Sequence, residues 1–119
     1  MLKKYFLITV VSIFLSACAV SPGIELLKRG QAAYQMQDYH TAFKLLLASA
    51  QNDNLTAEYA VGYMYYYGIG VKRDPYAAIV WFQKAAKYHQ PDAMRALYLI
   101  NHSGPSPFTF GKPKSSSGI

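Results

Sequence analysis

"AEYAVGYMYYYGIGVKRDPYAAIVWFQKAAKYHQPD", residues 57–92, decides the fold. In its second half, Ala78, Trp81, Phe82, Ala85 and Ala86 recur at spacings of three and four. That is the apolar stripe of an amphipathic helix. In its first half, Ala60, Val61, Met64 and Tyr67 form a similar stripe. Gly68 and Gly70 lie between the two. Glycine adopts positive φ without strain, so this pair ends the first helix in a tight turn. Asp74-Pro75 then starts the second. The Asp carboxylate accepts from a free N–H of the first turn, and Pro tolerates the first helical position. The stretch predicts helices over 55–67 and 75–88.

On both sides of this stretch the pattern recurs. A shift of 36 residues carries Ala57 onto Ala93, Ala60 onto Ala96, Val61 onto Leu97 and Gly68 onto Gly104. The same shift backwards carries Asp74 onto Asp38, Ala78 onto Ala42 and Ala86 onto Ala50. Helices are therefore expected over 23–35, 39–51 and 91–101 as well. Asp38 caps one start and Pro91 opens another. Ala42, Phe43, Leu46, Leu47 and Ala50 form one further stripe, and Ala93, Ala96, Leu97 and Ile100 another. A single hairpin cannot bury such a face, whereas stacked hairpins can. The outer copies are imperfect, as end units of a stack are.

The central unit resembles a Sel1-like repeat, a relative of the tetratricopeptide repeat. The resemblance is carried by Ala57, Gly62, Tyr65, Gly68, Gly70, Val71, Asp74, Ala77 or Ala78, Trp81, Lys84, Ala85 and Ala86, with "YGIGVKRD" intact. The first unit lacks the GxGV insertion, and Gly30, Asp38, Tyr39, Ala42 and Ala50 look like a plain tetratricopeptide unit. The third, 93–104, is half a repeat. The resemblance implies an all-α solenoid of α-α hairpins, about two and a half repeats over 24–104. It also implies a scaffold or adaptor that binds protein through its surface, not an enzyme.

The leader raises a separate matter. Lys3 and Lys4 precede an apolar run of about eleven residues, followed by "LSAC" at 15–18. This is the layout of a secretory signal peptide. The run is well short of the roughly 20 residues that span a bilayer, which makes a permanent transmembrane helix the weaker reading. "LSAC" resembles the lipobox of bacterial lipoproteins, in which the Cys receives a lipid and becomes the first residue of the mature chain. That reading assigns 1–17 to a signal peptide, Cys18 to lipidation and 18–23 to a lipidated tether. Several acyl chains on one residue anchor firmly where one anchors only marginally. Ala19 follows Cys18, not an Asp. By the resemblance, an Asp there would retain the protein at the inner membrane. The expectation is therefore an outer-membrane anchor facing the periplasm.

Little in the chain suggests catalysis. The formal charge is +6, and without the leader ten basic residues remain against six acidic ones, scattered along the chain. Nucleic-acid binding would call for a denser basic stripe. His40, His89 and His102 form no metal-ligand spacing, and no GxSxG element occurs. Neither a catalytic set, a metal nor a cofactor is expected beyond the lipid on Cys18. Glu25, Asp38, Asp53, Glu58, Asp74 and Asp92 lie mostly at helix starts, where the helix dipole favours negative charge.

The tyrosines are more suggestive. Tyr59, Tyr63, Tyr65, Tyr66 and Tyr67 share one helix and point in several directions. Some fill the core; exposed ones suit a binding surface. Tyr59, Tyr63 and Tyr66 are the candidates for partner contact, with inter-helix packing the alternative. The tail, 105–119, is rich in Ser, Pro and Gly and is expected to be disordered. Within it, Phe108 and Phe110 are followed by Lys112 and Lys114, a candidate docking motif. The expected partners are proteins of the cell envelope, with the membrane reached through the anchor. Two other readings remain: an enzyme acting on peptidoglycan or envelope protein, and a lipoprotein that self-associates through the open end of the stack.

Overall fold

The computed structural model describes residues 21–103. The leader, Cys18 and the tail lie outside them, as does Gly104. Among the described residues five helices run in order: α1 Pro22–Gln35, α2 Tyr39–Gln51, α3 Leu55–Tyr67, α4 Pro75–Lys87 and α5 Pro91–His102. The ends fall within one residue of those read from the sequence. The first helix begins at Pro22, whose fixed φ and missing N–H suit a first helical position. Pro22 and Gly23, read above as tether, are therefore helical. Tyr88 is the cap that follows α4, not its last residue.

Each later helix start carries a side-chain cap. Asp38 accepts from Thr41 N at 3.2 Å and Asp74 from Ala77 N at 3.0 Å, as the sequence suggests. Asn54 and Gln90 do the same for α3 and α5, accepting from Ala57 N and Ala93 N. These caps take up N–H groups that have no partner inside the helix.

Helix ends follow one rule with different residues. Gly68 closes α3 at φ 68°. Gln37, Asp53 and His89 take the same left-handed turn at φ 62°, 57° and 61°. At all three the next N–H reaches back five residues, from Asp38 to Ala33, Asn54 to Ser49 and Gln90 to Ala85. This satisfies the last carbonyls of the helix. Asp53 and His89 are 36 residues apart, so the repeat fixes this turn without fixing its residue type.

Helices adjacent in sequence pack side by side. Ala42, Phe43, Leu46 and Ala50 of α2 meet Ala57, Val61 and Met64 of α3 in one core cluster. Tyr66 of α3, Ala78, Phe82 and Ala85 of α4, and Ala93 of α5 form a second. Helix α3 thus buries two sides. The stripe read from its sequence needs correction on that account: Tyr67 is 46% exposed and Ala60 only partly buried. Trp81 is partly buried against the first cluster, with Lys84 Nζ 5.4 Å from its ring centre.

Close approach within each hairpin depends on glycine. A Cβ on Gly30 would lie 2.7 Å from Leu46 Cγ, and one on Gly62 would lie 2.7 Å from ring carbons of Phe82. Leu46 and Phe82 occupy equivalent repeat positions. So do Gly30 and Gly62, once the missing four-residue insertion is allowed for. In α5 the equivalent residue is Tyr98, which is 60% exposed.

Candidate functional site

The first helix of each unit contributes to one face. Between α3 and α5 lies a groove of about 410 Å³, walled by Tyr59, Tyr63, Tyr67 and Phe82 on one side and by Arg95 and Leu99 on the other. Between α1 and α3 a second groove, of about 500 Å³, is lined by Gln31, Tyr34, Tyr59 and Tyr63 among others. Tyr59 and Tyr63 belong to both and form the ridge between them.

The three tyrosines singled out by sequence occupy different depths. Tyr63 is exposed, Tyr59 partly buried, and Tyr66 only 8% exposed. All three touch the α3–α5 groove, but Tyr66 does so from the core, packed near Phe82. Tyr63 continues the aromatic surface to Tyr67, ring centres 4.6 Å apart. Tyr65 points elsewhere and meets Phe43 edge-on at 5.2 Å. Sequence reasoning missed Tyr67 as a wall residue, and missed Asp92, Arg95 and Leu99 of α5. Only the stacking of the third unit brings those residues opposite α3.

The chemistry of this surface is aromatic with few polar groups. Burial raises the Tyr59 hydroxyl pKa, and the nearby Asp92 carboxylate raises it further. Burial likewise raises Tyr66 and Tyr34. At neutral pH the Tyr59 hydroxyl is an uncharged hydrogen-bonding group on an apolar wall, suited to holding a partner's backbone or side chains. Among the described residues no group of three or more His, Cys, Asp or Glu could hold a metal ion. None of the described helices is long and apolar enough to cross a membrane.

A charged cluster lies apart from the grooves. Glu58 is fully buried, and Lys84 Nζ lies 2.9 Å from its Oε1 and 3.3 Å from Asp53 Oδ1. The Lys84 ammonium is held above its usual pKa, chiefly by Glu58 and then by Asp53. Glu58 Oε2 has no hydrogen-bond partner. Glu58 is thus more than a carboxylate at a helix start: it pairs with Lys84 of α4 across the α3–α4 contact.

These shifts predict weakness in alkali. Tyr34, Tyr59 and Tyr66 are raised above 10.0, and Lys84 above 10.5. A group with a raised folded pKa contributes stability that is complete below its unfolded value and is lost as pH rises through the folded one. The denaturant midpoint should hold through neutral pH and fall above about pH 10. A midpoint that stays level or rises there would contradict the assignment.

Comparison with known proteins matches this geometry. The Sel1 repeat family model matches residues 16–54 and 55–87. A Sel1 repeat protein of known crystal structure from Oxalobacter formigenes superposes with a TM-score of 0.65 at 30% identity, covering 79% of this chain and 40% of that one. The ERAD-associated E3 ubiquitin-protein ligase component HRD3A of Arabidopsis thaliana is 39% identical over 56 residues, which is 46% of this chain and 8% of that protein. The chain therefore spans less than half the length of the relatives it matches. Sel1 repeats generally mediate protein–protein interaction and are typically scaffolds. Matched over well more than half of its length, and built of the same stacked hairpins, this chain belongs to the Sel1 repeat family.

Proposed function

We propose that this protein is a bacterial outer-membrane lipoprotein, a periplasm-facing scaffold that binds a protein partner in its α3–α5 groove. The observation that carries the binding role is the aromatic wall left open there: Tyr63, Tyr67 and Leu99 are 38%, 46% and 52% exposed around one groove. Rigid aromatic side chains give large contact area at low entropy cost. HRD3A is by its description a component of a larger ligase, which is in keeping with a repeat that serves assembly.

The anchor rests on the lysines, apolar run and "LSAC" of the leader. Acyl chains on Cys18 would confine the domain to a membrane surface and raise its effective concentration for partners there. Envelope assembly factors, peptidoglycan enzymes and secretion components are the classes such a position would serve.

Two variants test the two halves. Tyr63→Ala should weaken partner recovery roughly tenfold or more, as loss of an aromatic anchor does, while leaving the fold intact. Tyr76→Ala, 83% exposed on α4, serves as the control and should change nothing. Equal losses from both would remove the groove reading. Cys18→Ser should leave an unprocessed, unlipidated precursor. Normal mature, membrane-anchored protein from that variant would refute the anchor.

A further inference from the structure

We propose that the chain's own C-terminal segment, 104–119, is the resting occupant of the α3–α5 groove, seating Phe108 and Phe110 against its aromatic wall. The inference rests on the reading of that groove as a peptide-receiving surface and adds a self-ligand to it. Ser103, the last described residue, is part of the groove lining. The segment therefore leaves the domain from within the site.

Reach and chemistry both fit. Five residues carry the chain from Ser103 to Phe108 and seven carry it to Phe110. At 3.3–3.6 Å per residue these span up to about 17 and 24 Å. The rings they bring meet Tyr63, Tyr67 and Leu99, the most exposed apolar side chains of the wall. Lys112 and Lys114 are the only ionisable side chains of the segment, and among the described lining residues Asp92 supplies one carboxylate beside the Arg95 cation, so the two phenylalanines, not charge, carry the fit. A short tether sets an effective concentration in the millimolar range. A contact with a dissociation constant near 1 mM, far too weak to hold a free peptide, then fills the groove about half the time. An incoming partner must displace the segment. Removing the two phenylalanines should raise its apparent affinity about twofold or more.

The test uses the full chain, isotope-labelled, in detergent micelles. The expected result is a set of nuclear Overhauser contacts from the Phe108 and Phe110 rings to Tyr63 and Leu99 that do not depend on protein concentration. Phe108→Ala with Phe110→Ala should abolish them and move the Tyr63 and Leu99 resonances. Absence of the contacts, or their appearance only between labelled and unlabelled chains in a mixture, would overturn the proposal. The latter outcome would assign the groove to a second copy. Neither result bears on partner recovery with Tyr63→Ala, so the binding role stands or falls separately.

Discussion

Gly70→Ala should destabilise the domain by about 3 kcal/mol or more. A Cβ at this position would lie 2.1 Å from the carbonyl oxygen of Tyr39 and 2.5 Å from its carbonyl carbon. Both atoms belong to the backbone at the start of α2, so no side-chain rotation relieves the contact. The residue also sits at φ 69°, where a side chain adds strain of its own. Either the α3–α4 loop lifts away from α2 or α2 shifts, and both open the first core cluster. Gly68→Ala is the natural comparison. It shares the left-handed backbone at φ 68°, but its Cβ would lie 3.0 Å from Arg73 Cβ, a far milder overlap than 2.1 Å against a carbonyl oxygen. It should cost only about 1–2 kcal/mol. Chemical denaturation of the two variants checks the order. Equal losses would mean that the loop does not rest on α2.

Lys84→Met is the second large effect. Removing one partner of a buried ion pair costs about 3–5 kcal/mol, because the other charge is left uncompensated. The Lys84 side chain is 40% exposed, so water replaces part of what is lost, and the expected cost is about 2 kcal/mol. The double variant Glu58→Met with Lys84→Met removes both charges and should recover most of that loss. A Lys84→Met protein as stable as the parent would show that Glu58 is not held by this lysine.

The sequence was legible where physics is local. Asp38 and Asp74 cap because a carboxylate three residues ahead of a free N–H has one obvious partner. Pro75, Pro91 and Gly68 mark helix ends directly, and the 36-residue repeat carries the placement to ends that have neither residue. Non-local features were not legible. The rest of Gly70 on Tyr39 joins a loop to the start of a distant helix. Glu58 and Lys84 lie on different helices, so no helical spacing pairs them, and Glu58 read as one more carboxylate at a helix start. The five tyrosines of α3 could not be sorted because that helix buries two sides at once. A helix of that kind shows no single stripe. Only stacking sends Tyr66 to the core and leaves Tyr63 and Tyr67 at the groove. The same stacking supplies the opposite wall from α5, which belongs to the next repeat.

The equivalence of Gly30, Gly62 and Tyr98 bears on how the stack ends. In the two complete hairpins this position is empty so that the second helix can approach closely. In α5 it carries an aromatic side chain, stacked on His102 with ring centres 4.0 Å apart. A further helix packing there in the same way would meet that ring.

The proposed scaffold role places partners in the α3–α5 groove. Site-specific photo-crosslinking in intact cells tests it most directly, with the crosslinker placed in turn at Tyr63, Leu99 and Tyr76. The groove positions, Tyr63 and Leu99, should capture the same protein, and Tyr76, exposed on α4 and outside the groove lining, should capture none of it. Capture of that protein from Tyr76 as readily as from the groove would contradict the claim.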